Sequence, residues 1–190
     1  MSLRLLGVTE FYVNGETAGG DLLGKDLALL YYLAVTGQPQ PRTSLSVLLW
    51  GDASESARAN LRKSISALNR VLGASLVIAR DRVALDGKQC TIDTHAFEQL
   101  AQEGQDTGNV LLLQSAVDLY HGEFLAGFAV RNAPDYDLWM YQMQEKYRGL
   151  AVRHSMPWPG TGAPQRLVKQ SPVCNASLPW SLGTKKHTAI

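Results

Sequence analysis

The spacing of apolar residues changes several times along this chain, and each change marks an element. Short apolar runs at residues 3–7 and 11–13 end at Asn14-Gly15, a strong signal for a tight hairpin turn. Residues 3–22 therefore read as a small antiparallel sheet. Residues 25–35 carry Leu29, Leu30 and Leu33 on one side of a helix that stops near Gly37 and Pro39. A second helix is expected over residues 44–50, with Thr43 or Ser44 as its cap, and Gly51-Asp52-Ala53-Ser54 breaks it. Over residues 57–73 the period is strongly helical: Leu61, Ile65, Leu68 and Leu72 form an apolar stripe, and Gly73 ends it. Two β-prone runs, residues 76–79 and 83–85, then surround Arg80-Asp81-Arg82 as a hairpin with a charged tip.

From residue 93 onward the pattern is helical. Helices are expected over residues 93–103 (Phe97 and Leu100 inward), 110–120 and 136–150, with a loop at 104–109 and a turn at 123–128. Trp139, Met143 and Tyr147 recur at helical spacing in the last of these, as core-packing residues do. Paired helices of this kind predict a helical-repeat unit, a class of surface that binds other proteins. Past residue 150 the helical period is lost. Pro157, Pro159, Pro164, Pro172 and Pro179 are five of the chain's eight prolines, and no acid occurs there. The expected class is α+β: a winged helix with an amino-terminal antiparallel sheet over residues 1–90, an all-α helical-repeat region over 91–150, and a disordered or aberrant basic tail over 151–190. An incomplete repeat also leaves an apolar helix face uncovered, which predicts self-association or partner binding.

Charge gives this order of elements a chemistry. The formal net charge is only +1, yet residues 54–82 hold Arg58, Arg62, Lys63, Arg70, Arg80 and Arg82 against two acids, Glu55 and Asp81, a local net of +4. A helix anchored on one side and basic on the other suits the DNA major groove. Phosphates attract the cations without regard to sequence, and side chains near the helix start reach base edges. The competing reading is an amphipathic surface helix with solvated charges; the sheet before it and the hairpin after it favour a recognition helix and wing. The candidate DNA-binding set is Arg42, Thr43, Arg58, Asn60, Arg62, Lys63, Ser64, Ser66, Asn69 and Arg70, with Arg80 and Arg82 on the wing.

Other chemistries find little support. Cys90 and Cys174 stand far apart, outside any metal-ligand spacing, and four scattered histidines accompany no nucleophile motif or phosphate loop. The expectation is a protein that is no enzyme, needs no cofactor or metal, and resides in the cytoplasm without a membrane span.

Three stretches in order carry a family resemblance: Leu48-Leu49-Trp50-Gly51-Asp52, the helix through Ile65-Ser66-Ala67-Leu68-Asn69-Arg70-Val71-Leu72-Gly73, and Leu119-Tyr120-His121-Gly122-Glu123-Phe124-Leu125. Across about residues 3–150 the chain resembles transcriptional activators of the antibiotic-regulatory-protein type. Those proteins join a response-regulator-like winged helix to a bacterial transcriptional activator domain, a tetratricopeptide-like helical module. The resemblance implies a sequence-specific DNA-binding activator that binds double-stranded promoter DNA at direct repeats, as a homodimer or tandem pair, and recruits RNA polymerase. Its polymerase-facing loop would be Gly51, Asp52, Ala53 and Ser54, with Trp50 itself packed in the core. The family usually repeats arginine late in the recognition helix, where this chain has Ala67 and Asn69. The alternative is a protein-interaction module of the same fold whose DNA binding is weakened or lost.

Overall fold

The computed structural model describes residues 1–155 except 19 and 21. The expected tail falls almost entirely outside the described residues. Strands β1 (Ser2–Arg4), β2 (Glu10–Val13) and β3 (Glu16–Thr17) form the antiparallel sheet. Its turn has positive φ at both central residues, Asn14 (53°) and Gly15 (85°), the conformation that an Asn-Gly pair tolerates best. The register sets Leu3 opposite Phe11, and both are buried.

Helices α1 (Gly24–Thr36), α2 (Arg42–Trp50) and α3 (Glu55–Leu72) follow in the expected order, interrupted by the short strand β4 (Gln40–Pro41). Neither Thr43 nor Ser44 caps α2. The helix begins at Arg42 after an extended Pro41, whose ring already fixes φ at −63°. Leu29, Leu30, Leu33, Leu45, Leu49, Leu61 and Leu68 from the three helices are buried together. Strands β5 (Leu76–Ile78) and β6 (Arg82–Leu85) make the predicted hairpin, and β4 joins it in the order β4-β6-β5.

The chain then returns to the first sheet, which pattern alone had confined to residues 3–22. Strand β7 (Thr91–Ile92) pairs parallel with β1, setting Leu3 opposite Ile92. Directly after β7 begins α4 (Asp93–Thr107), and the Asp93 carboxylate accepts the backbone N–H groups of Leu5 and Leu6 at 2.7 and 2.9 Å. Burial pushes the Asp93 carboxyl up despite those bonds.

Helix α4 extends past the loop expected at Gly104. Gly104 is buried, and a Cβ there would lie 2.6 Å from the Leu113 side chain. Glycine therefore permits the close approach of α4 to α5 (Val110–Leu119), which outweighs its poor helix propensity. Helix α6 (Pro134–Ser155) lies against both α5 and α2. Its inner side holds Tyr136 and Tyr147, both fully buried, and Trp139 stacks edge-on against Tyr32 and Phe124. The segment between α5 and α6 bridges back to the stretch between β1 and β2, Leu6 opposite Phe124. Met1–Ser155 form one compact unit. The architecture is mixed α/β, an amino-terminal sheet with six helices; a tetratricopeptide-like repeat is not established by it. No helix of the described residues is long and apolar enough to cross a membrane.

Candidate nucleic-acid interface

Helix α3 starts where Ser54 accepts the Ala57 N–H on its side-chain oxygen at 3.2 Å and ends at Gly73. Residues in a helix advance by about 100° each, so Ala57, Leu61, Ser64, Ile65, Leu68 and Leu72 share one arc, and all six are buried. Arg62, Lys63, Ser66, Asn69 and Arg70 lie across from that arc and Arg58 at its edge beside Ile65; all six are exposed. Asn60 sits half-buried at the boundary.

Ser64 is therefore removed from the predicted contact set. It lies three residues after Leu61 and four before Leu68, within the inward row, and is 6% exposed. That spacing was visible in the sequence; the polar side chain concealed it.

The exposed cations differ in freedom. Arg62 donates to a Glu55 carboxylate oxygen at 2.7 Å across two helical turns. That hydrogen bond and charge, with a smaller contribution from Arg58, hold the Glu55 carboxyl below its ordinary range. In the sequence Glu55 counts only as an acid in the local charge balance, although its i, i+7 spacing to Arg62 is legible. Arg82 pairs loosely with Asp81, at 3.5 Å. Arg58, Lys63, Arg70 and Arg80 make no ion pair among the described residues.

Arg42 has a structural task that the sequence did not reveal. It is half-buried at the head of α2; its backbone N–H donates to the Asp81 carbonyl at 2.8 Å and its guanidinium to the Ala79 carbonyl at 3.1 Å. Arg42 thus braces the wing that carries Arg80 and Arg82. Thr43 is exposed and, with Ser44, Tyr32, Val47, Leu48 and Asp135, lines a shallow groove of about 420 Å³ between α2 and the start of α6.

The loop between α2 and α3 is internally held, with Gly51, Asp52 and Ser54 exposed and Ala53 half-buried. Gly51 closes α2 with its N–H on the Val47 carbonyl, and the Asp52 carboxylate accepts the Ser54 N–H at 2.9 Å. Hydrogen bonds from Ser54 hold the Asp52 carboxyl below its ordinary range. Trp50 packs half-buried against the core with the Lys25 ammonium 5.1 Å from its ring centre. Lys25 also donates to the carbonyls of Leu49 and Asn132, fixing the end of α2 to the segment that leads into α6. Nothing in the sequence marked Lys25, because its partners lie 24 and 107 residues away.

No family model matches the sequence, and no curated protein matches it significantly. Among solved structures, the fold is similar to that of Mycobacterium tuberculosis EmbR in complex with a low-affinity phosphopeptide. The TM-score is 0.61 at 19% sequence identity, over 81% of this chain and 44% of that one. The chain thus spans less than half the length of the EmbR chain it matches, and the likeness at this identity is one of fold.

Proposed function

We propose that this protein is a sequence-specific DNA-binding transcriptional regulator, an activator that inserts α3 in the major groove and sets the wing against the neighbouring backbone. The observation that carries the reading is the division of α3: six exposed hydrogen-bonding or cationic residues outside an arc of six buried ones, beside a wing bearing Arg80 and Arg82. Arg58, Lys63 and Arg70 are the principal contacts, with Ser66 and Asn69 within reach of phosphate or base edges. The fold it shares with EmbR, a transcriptional regulator of the antibiotic-regulatory type, supports the same class. In this reading α4, α5 and α6 are part of an activator-type helical module. Gly51, Asp52, Ala53 and Ser54 form the surface offered to RNA polymerase, a loop held in shape by the Asp52–Ser54 and Ser54–Ala57 hydrogen bonds.

Fluorescence anisotropy of labelled genomic duplexes at several salt concentrations tests it. Affinity should fall steeply with salt, and Arg58→Ala and Lys63→Ala should each lower the slope of log affinity against log salt by about one. Binding without salt dependence, or none at low salt, overturns the reading. A second reading, a protein-interaction module with weakened DNA binding, draws on the Arg62–Glu55 pair and on Ala67 and Asn69, which leave fewer free cations on the reading face. Capture of a partner protein with no retardation of genomic fragments favours it.

A further inference from the structure

Helix α6 has a second stripe, directly opposite its buried side. Leu138, Tyr141 and Val152 are 59%, 60% and 56% exposed, far more than large apolar residues usually are on a helix that already has a core-facing side. Glu145 and Arg148 stand between them, 44% and 62% exposed at the side chain, and are bound to each other at 2.6 Å. The spacing of the five residues is three, four, three and four, the heptad spacing of a coiled-coil seam. Gly149 adjoins the seam and leaves room for a close approach.

We propose that this stripe is a homodimer contact in which α6 packs antiparallel against α6 of a second copy, about a two-fold axis near residues 146 and 147. The occupant is set by self-complementarity. In the antiparallel pairing Tyr141 meets the partner's Val152, and Glu145 meets the partner's Arg148; the two-fold repeats both contacts. Each carboxylate then lies between two guanidiniums. A parallel pairing would set Glu145 against the partner's Glu145 and Arg148 against the partner's Arg148, which like-charge repulsion disfavours. Five seam residues a side are well short of the roughly 20–30 of a standard interface, so the dimer is weak and forms at high micromolar concentration or where a shared template raises the effective concentration. The contact is isologous and closes at two copies. If the chain also binds DNA as proposed above, that axis relates the two recognition helices by a two-fold, which matches inverted half-sites; the family resemblance implies direct repeats.

Sedimentation equilibrium of the full chain without DNA tests the pairing independently of any DNA binding. The wild type should show a concentration-dependent monomer–dimer equilibrium. Glu145→Arg alone and Arg148→Glu alone should each be monomeric, because each sets like charges across the seam. An equimolar mixture of the two variants should recover association, since each copy then faces the opposite charge at both positions. Both substitutions are at exposed sites, and unchanged helical circular dichroism verifies the fold. Wild type that stays monomeric up to about millimolar concentration overturns the proposal. So do single variants that associate like the wild type, which would place residues outside the seam, those after 155 included, at the contact. A mixture that stays monomeric overturns it as well.

Discussion

Helices α3 and α6 are both long and both bury one side, but their other sides belong to different kinds of surface. Every large apolar side chain of the α3 stripe points inward, and its outer side is cationic and hydrogen-bonding. Helix α6 is apolar on both sides: Tyr136, Tyr147 and Ala151 lie in the core, while Leu138, Tyr141 and Val152 face outward. The difference teaches what each surface requires of a partner. A cationic face attracts a polyanion at a distance and tolerates an imperfect fit. An apolar stripe gains only from area removed from water, so it needs a neighbour of matching shape.

Substitutions can break or sharpen this contrast. The largest effect should be at Leu68, fully buried under α3. Leu68→Ala should cost about 2–5 kcal/mol in urea unfolding, from lost burial and the cavity left behind. Leu138→Ala on the outer side of α6 should change stability by less than about 0.5 kcal/mol. If the two cost the same, the outer side of α6 is covered within the monomer and the contrast fails.

Gly104→Ala tests the packing that supports α6 from below. The added Cβ would meet the Leu113 side chain at 2.6 Å and its backbone nitrogen at 3.0 Å. A loss of about 1–3 kcal/mol is expected, read as a lower urea midpoint with an unchanged slope.

Asp93 joins the start of α4 to the stretch that follows β1, through the Leu5 and Leu6 N–H groups. Its carboxyl ionises above the ordinary value of 3.8 in the folded protein, chiefly because it is buried. A raised folded-state value means that its contribution to stability is fully present below 3.8 and is lost as pH rises through the raised value. Stability curves from about pH 3 to about pH 7 should therefore show the wild type losing ground to Asp93→Asn as pH rises. An opposite trend would mean that the Leu5 and Leu6 N–H groups stabilise the ionised form more than burial disfavours it.

The smallest effect concerns Glu55, exposed and paired with Arg62. Glu55→Gln should leave the unfolding midpoint unchanged, as exposed ion pairs contribute little. It should tighten DNA binding about two- to threefold at low salt by releasing a cation to the phosphates. Unchanged affinity would place Arg62 outside the contact.

Much of the path to the interface was legible. The stripe of Leu61, Ile65, Leu68 and Leu72 oriented α3 because its two sides differ in chemistry, and Asn14-Gly15 announced its turn because few other pairs accept two positive φ angles. What escaped notice depended on contacts between separate elements. Arg42 was read only as a phosphate contact, and its bonds to the Ala79 and Asp81 carbonyls of the wing went unseen. Gly104 looked like a loop, because nothing in its neighbourhood revealed that Leu113 would fill the space a side chain would need. Ser64 belongs to neither group: its spacing placed it inside, and its polarity was given too much weight.

By itself, the amino-acid sequence determined the order of the helices and the two hairpins, the inward arc of α3 and the concentration of positive charge from residue 58 to residue 82. All three depend on local periodicity and composition, which survive without a partner segment. Only the tertiary structure decided that Arg42 is claimed by the Ala79 carbonyl of the wing, 37 residues away. It alone returned β7 to β1 and showed that α6 keeps an apolar stripe on its outer side. A helix apolar on both sides has no preferred orientation until its neighbours are in place, and α2 and α5 supply them.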